Sequence, residues 1–363
     1  MANVRKYVPP VEFHPGVTLS EKLDEMGMSI KEFAVRTSRP EKTIFAIIGG
    51  KSSVTSDMAV AFESVTGIPA HFWMEIQRGY DEYVARERRK EQVIQAYEWA
   101  QRFPLAKMAE LGWIAAARTK EEKVGTLLSF FQVSTHKAWE DYYLNQQLKV
   151  SFRISLNNTK EPHAISAWLR RGEIQAAEMK VCKFSEKALR ETIPAMKNLC
   201  TRQPAGFAKE LQDLCAKAGI KLVYTPCLPK APANGSTRWL NDTPCIQMSG
   251  RQKRNDIFWF TFFHELGHIL LHGKKDIFLE DTEYTDRHKE KEEEADGFAS
   301  RTLLSQAEED EIVTNGDFSA DSIRRYAAKF RVHPGIIVGR LQYKRIIPFS
   351  AHSELIAKVD LFA

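Results

Sequence analysis

Cysteine is scarce in this chain of 363 residues, with five in all at Cys182, Cys200, Cys215, Cys227 and Cys245. Their number is odd, their spacing wide, and no two form a C-x-x-C pair. That argues against a disulfide framework and for reduced thiols in a cytoplasmic protein. Long apolar runs are also missing, and the strongest cluster, Ile257 to Phe263, is far too short to span a bilayer. The first ten residues, Met1 to Pro10, lack the hydrophobic segment of a secretory signal, so none is expected. No internal repeat or low-complexity linker interrupts the chain. Strong net charge is absent too: at +5 the balance is too mild to announce a nucleic-acid binder by itself. What remains is ordinary globular composition, 43% hydrophobic and 27% charged, at a length sufficient for two or three domains.

Charge is distributed unevenly. Residues 31–54 hold Lys31, Arg36, Arg39, Lys42 and Lys51 against Glu32 and Glu41, while an acidic stretch surrounds Glu290 to Glu294. Either run could be no more than a solvated helix face. Around the basic run, residues 15 to about 90 read as short helices. Val17 to Met26 ends at Gly27, and Ser29 with Glu32 makes a capping box for Ile30 to Arg36. Pro40 opens a helix to Ile48, which Gly49 and Gly50 stop. Ser56 or Asp57 begins a fourth helix to Thr66, and a longer one runs from Pro69 through Arg89. Five helices with a tight turn between the second and third predict a helix-turn-helix domain over 13–90.

Residues 91–205 are predicted as a mainly helical middle region. Their aromatics, Trp99, Phe103, Trp113, Phe130, Phe131, Trp139, Tyr142, Tyr143 and Trp168, could stack bases, but at helical spacing such residues are usually core. From 206 to 345 the pattern turns to α+β. Gly206 to Ala218 is a helix, Ile220 to Tyr224 a strand, and Thr237 to Ser249 a hairpin turning at Asn241 and Asp242. A loop with Pro226, Pro229, Pro232 and Gly235 separates them, and helices over Asp256–Leu271 and Glu290–Leu304 follow. The fold class expected is mainly α with an α+β C-terminal domain holding a small sheet.

Within the first of those C-terminal helices stands His264-Glu265-Leu266-Gly267-His268. Two histidines four apart project from one helix face and can hold one ion, and neutral imidazole suits zinc. Glu265 then lies where a carboxylate can take a proton from a water beside that ion. Gly267 leaves room for a neighbouring element. An accidental H-E-x-x-H on a core helix is the bland alternative. Against it stands the segment Glu292 to Ala299, where Glu292 and Asp296 are four apart. Glu292 can be the third ligand and Asp296 can orient a ligand imidazole from behind, with Glu293 as fallback for the ligand. His272 continues the histidine face one turn on, as a fourth ligand that would close the site, or as a supporting or merely structural residue.

These two segments, His264 to His272 and Lys291 to Ser300, resemble the ImmA/IrrE family of metallopeptidases over roughly residues 205–345. The resemblance implies a zincin-like domain with a gluzincin-like Zn2+ site: two helix histidines, a general-base glutamate and a downstream glutamate ligand. It further implies that Cys245 to Ser249 is an edge strand holding an extended peptide, and that the substrate is a partner protein such as a repressor or toxin. Residues 13–85 are similar to HigA-type antitoxins with a Cro-like helix-turn-helix, through His14-Pro-Gly16, Met58 to Phe62, Phe72-Trp73, Gln77 and Tyr80-Asp81. That similarity implies a recognition helix at Pro40–Ile48, with Ser38, Arg39, Lys42 and Thr43 facing operator DNA. Glu41 departs from it, since a carboxylate there would repel a phosphate. The whole reads as a cytoplasmic regulator with a zinc endopeptidase domain, commonly dimeric as helix-turn-helix proteins are. The alternative is a non-catalytic antitoxin or autorepressor whose metal-site domain is structural or a sensor.

Overall fold

The computed structural model describes residues 13–144, 161–229, 231, 233–273, 278–279 and 286–362. The first ten residues and Pro232, both used above, lie outside these. The chain divides into two compact units, one ending at Gln95 and one beginning at Ala96.

The N-terminal unit is built from α1 (Pro15–Glu25), α2 (Ile30–Arg36), α3 (Glu41–Ile48), α4 (Ser56–Thr66) and α5 (Ala70–Gln95). Ser29 caps α2 as expected, its hydroxyl accepting from the Glu32 amide at 3.2 Å. Thr55, rather than Ser56 or Asp57, caps α4. Leu19, Phe33, Ile44, Ile47, Phe62 and Trp73 are fully buried. The Phe62 ring sits 5.1 Å from Phe33 and 5.6 Å from Trp73, so one aromatic cluster pins α2, α4 and α5 together. Burial of each such side chain is worth roughly 2 kcal/mol. Past the expected end at Arg89 α5 continues, supported on its polar face by Arg86–Glu82 and Lys90–Glu87 pairs.

The second unit opens with α6 (Tyr97–Gln101), α7 (Leu105–Glu110), α8 (Lys120–Phe131), α9 (His136–Tyr143), α10 (Pro162–Glu178), α11 (Glu186–Arg202) and α12 (Phe207–Ala218). Then come β1 (Lys221–Tyr224), β2 (Gly235–Leu240), β3 (Thr243–Met248), α13 (Asn255–Leu271), β4 (Phe278–Leu279) and α14 (Asp286–Leu303). The unit closes with α15 (Gln306–Asn315), α16 (Ala320–Phe330) and α17 (Pro334–Tyr343). Trp99, Phe103, Trp113, Phe130, Phe131, Trp139, Tyr143 and Trp168 are each less than a tenth exposed, so these aromatics are core, not a stacking platform. Helix α10 is tied to the strands: the Trp168 indole donates to the Thr225 carbonyl at 3.1 Å, and Gln247 Nε2 donates to the Trp168 carbonyl at 2.7 Å. Beyond residue 345 the chain returns to the start of α13, where Leu355 and Val359 are buried and the Val359 amide donates to Lys253.

The sheet runs β1-β3-β2-β4. β3 pairs along its length with β1 in parallel and with β2 antiparallel, so the hairpin is as expected but its second strand is interior. Cys245 to Met248 is therefore not an edge, because both rows of its backbone groups are already used in the ladder. The edges among the described strands are β1 and β4. No helix among the described residues is long and apolar enough to cross a membrane.

Candidate metal centre

The centre lies where α13 crosses α14. Helix α13 is apolar nearly all round, with Trp259, Phe262, Phe263 and Leu266 wholly buried, which is why its polar residues are held inside rather than turned to water. His264, Glu265 and His268 are 4%, 1% and 1% exposed. Gly267 sets the approach of the two helices. A Cβ at that position would stand 3.2 Å from the Ala295 Cα of α14. Small residues at 267 and 295 thus let α14 come close enough for its carboxylates to reach the imidazoles of α13.

Two turns of sequence, His264 to His268 and Glu292 to Asp296, become one cluster. His264 Nε2 and His268 Nε2 are 2.9 Å apart, and Glu292 stands over both, with Oε2 3.2 Å from His264 and Oε1 3.6 Å from His268. Three ligand atoms from His264, His268 and Glu292 lie within 4.8 Å of one another. Nitrogens about 2.0 to 2.1 Å from a tetrahedral ion stand about 3.3 Å apart, so this donor set needs only a slight opening to hold one. Glu292 Oε1 is buried without a hydrogen bond, a lone-pair site that a cation would satisfy. Glu293, the fallback, is exposed and outside the cluster. The residues fit a divalent ion.

Each imidazole is held from behind. His264 Nδ1 lies 2.8 Å from Asp296 Oδ1. His268 Nδ1 lies 3.0 Å from His272 Nδ1, and His272 Nε2 lies 2.9 Å from Glu294 Oε2. With both rings neutral and Glu294 ionised, these distances suit His268 Nδ1–H donating to His272 Nδ1 and His272 Nε2–H donating to Glu294. Both ligand histidines turn their Nε2 atoms toward the same point. His272 faces the back of His268, outside the ligand cluster, which sets aside its role as a fourth ligand. Glu294 is the residue the sequence reading passed over. Helical spacing gave no signal for it: Glu294 stands two residues from both Glu292 and Asp296 and so points away from their face of α14.

Charge at the cluster is unevenly shared. Burial opposes the cationic form of His264, but hydrogen bonds to Asp296 and Glu292 outweigh it and lift the imidazole to about 10. At His268 burial dominates and lowers it to about 4, the Glu292 bond opposing. Burial would raise Glu292, yet the two histidines hold its carboxyl down at about 2. Such a set concentrates negative charge beside two imidazoles, which favours a cation. Glu265 projects from the same helix toward the start of β2. A Cβ on Gly235 would come within 2.6 Å of Glu265 Oε1, and Thr237 Oγ1 donates to the Glu265 carbonyl at 3.0 Å. Strand β2 therefore seats the turn of α13 that carries this carboxylate.

The candidate DNA residues sit at the α2–α3 turn. Ser38 is exposed in a left-handed conformation, with φ 54°. Arg39 is half-buried, with its Nε enclosed and unpaired, while Lys42 is exposed and Thr43 half-buried on the first turns of α3. The four are thus brought to one end of the unit, with exposed Glu41 among them.

Comparison with known proteins gives both ends of the chain a family. Residues 215–342 match Peptidase_M78, the IrrE N-terminal-like domain. A 66-residue stretch is 30% identical to the uncharacterized HTH-type transcriptional regulator YddM of Escherichia coli strain K12, covering 18% of this chain and 70% of that protein. Among solved structures, a HigA-family addiction module antidote protein from Coxiella burnetii is 29% identical, over 23% of this chain and 90% of that one, with a TM-score of 0.22. The Pseudomonas aeruginosa antitoxin HigA, solved with the higBA promoter, is 26% identical over 23% of this chain and 91% of that one, with a TM-score of 0.22. The chain belongs with the HTH-type transcriptional regulators through its N-terminal part and carries a Peptidase_M78, IrrE N-terminal-like domain at its C-terminal end.

Proposed function

We propose that this protein is a DNA-binding regulator carrying a zinc-dependent endopeptidase that hydrolyses a peptide bond in a partner protein. The observation that carries the enzymatic half is the convergence of His264, His268 and Glu292, with Glu265 on the adjacent position of the same helix. His264 and His268 would hold zinc through Nε2 and Glu292 through its carboxylate. When bound, zinc supplies a Lewis acid that polarises a carbonyl and makes water acidic. Glu265 acts as general base, taking the proton of the attacking water and passing it to the leaving amine. Asp296, and His272 backed by Glu294, keep both ligand imidazoles in the tautomer that coordinates. The partner is a protein such as a repressor or toxin, met in the cytoplasm, a setting that the five free cysteines support. The N-terminal unit binds operator DNA through α3 and its preceding turn, with Ser38, Arg39, Lys42 and Thr43 as contacts, and a homodimer would read two half-sites.

Metal analysis tests the centre first. About one zinc per chain is expected, lost in His264→Ala and Glu292→Ala and kept in Glu265→Gln. Metal-free protein after careful purification would sink the reading. A second reading draws on the depth of the site, where Glu265 is only 1% exposed. There the ion is structural or sensory, and the protein is an antitoxin or autorepressor. It predicts operator binding that survives chelation and no partner cleaved by wild type; the first predicts cleavage by wild type and none by Glu265→Gln.

A further inference from the structure

The two sides of α3 carry different chemistry. Ile44 and Ile47 are wholly buried in the N-terminal core, whereas Glu41, Lys42 and Phe45 face outward. Phe45 is 54% exposed in the middle of an eight-residue helix, one turn beyond Lys42. Most of the cations in this stretch of sequence are uncommitted. Among the described residues Lys31, Arg39, Lys42 and Lys51 enter no ion pair, in contrast with Arg78, Arg86 and Lys90 of α5, each of which pairs with a glutamate. Lysine is depleted in the cores of protein–protein interfaces, so an exposed aromatic ring one turn from the unpaired Lys42 is a poor protein-docking face. It suits a polyanion that displays apolar groups between its phosphates. Duplex DNA does so in the major groove, where the 5-methyl of thymine is the one apolar mark on a base edge.

We propose that Phe45 is a specificity-determining residue that reads thymine through its 5-methyl group, while Lys42 and Arg39 hold neighbouring phosphates. The inference rests on the DNA-binding reading of the N-terminal unit. Glu41 repels phosphate at the start of α3, so the base edges meet the middle of the helix, where the ring is. A contact of this kind is read without hydrogen bonds and depends on the methyl group alone.

The test uses the full-length protein and a duplex library with a randomised core. Duplexes enriched by wild type are then remade with deoxyuridine in place of each thymine in turn, which removes the methyl and nothing else. At one or more positions wild type should bind the deoxyuridine duplex about fourfold more weakly, the weight of one buried methyl group. Phe45→Ala should bind both duplexes equally, and Phe45→Leu should keep part of the difference. Lys42→Ala should weaken both alike and preserve their ratio. Enrichment with no methyl dependence at any thymine, or with the same dependence in Phe45→Ala, overturns the role of Phe45 and leaves DNA binding standing. No enrichment at all removes the DNA-binding reading, and this inference with it. Since Phe45 lies on the solvent face, its variants are expected to fold, which circular dichroism checks and Phe45→Leu guards against failing.

Discussion

At the scale of single residues, the centre separates holding an ion from using it. Glu265 is not in the ligand cluster, so Glu265→Gln should retain the metal while hydrolysis of a cleaved partner falls by a factor of about a thousand or more, as general-base removal does at such sites. Retained cleavage would assign the base elsewhere. The residues behind the imidazoles act differently. Losing them frees the rings to rotate and change tautomer, and such changes typically cost about 10- to 100-fold in metal affinity. Chelator competition should find that loss in His272→Ala and Asp296→Ala. Glu294→Gln should show a smaller one, because Glu294 is itself 62% exposed and reaches His268 only through His272. Unchanged affinity in His272→Ala would reduce the His268–His272–Glu294 chain to packing. Much of this was legible in the sequence. His264 and His268 could be paired from helical spacing alone, since a four-residue step puts two side chains on one face whatever surrounds them, while the same spacing left Glu292 and Glu293 both open as the third ligand. Glu294 could not, because its partner lies on another helix and only the crossing of the two sets the distance.

At the scale of elements, the distance between α13 and α14 decides whether there is a site at all. Gly267→Leu would drive a side chain into Ala295 and Phe298, each only 3.2 Å from where its Cβ would stand. Overpacking of that kind costs about 1–3 kcal/mol, and the parting of the helices should empty the centre. Metal content near zero in a folded Gly267→Leu protein is the expected result; full occupancy would show that α14 is positioned by something else. One candidate is Glu309 of α15, only 3% exposed and paired with both Arg340 of α17 and Lys344 just past its end. Arg340 also donates to the Ser300 carbonyl near the end of α14. Glu309→Ala leaves Arg340 buried and short of its partner, and since Lys344 is partly exposed the expected loss is about 2 kcal/mol rather than the larger cost of a fully enclosed pair. Chemical denaturation measures it. The strands show where element-level reading stops. Alternation identified the hairpin of β2 and β3, but not that β1 would lie parallel on the far side of β3. A parallel neighbour comes from a crossover connection, and nothing in the local pattern of Cys245 to Met248 records which strand fills the second ladder.

For the whole molecule, the two units have separate cores, one around Phe33, Phe62 and Trp73 and one around Trp259, Phe262 and Phe263. A ligand stabilises only the structure it binds. Chelation should therefore lower the melting temperature of the unit beginning at Ala96 and leave that of the unit ending at Gln95 unchanged in calorimetry. A common shift of both would mean that they unfold together. The sequence by itself determined the local decisions: where helices start and stop, which faces are apolar, and which residue types could bind a metal or face DNA. Those follow from spacing, capping and side-chain chemistry, and each is settled within a few turns of chain. Tertiary structure alone decided which of several carboxylates meets the histidines, that His272 stands behind His268, and that β3 is interior. It also decided that α10, at 162–178 in the middle of the chain, packs on the sheet. These are contacts between residues far apart in sequence. They depend on how closely two helices approach and on which strand pairs with which, and those distances are set by the packing of the whole core.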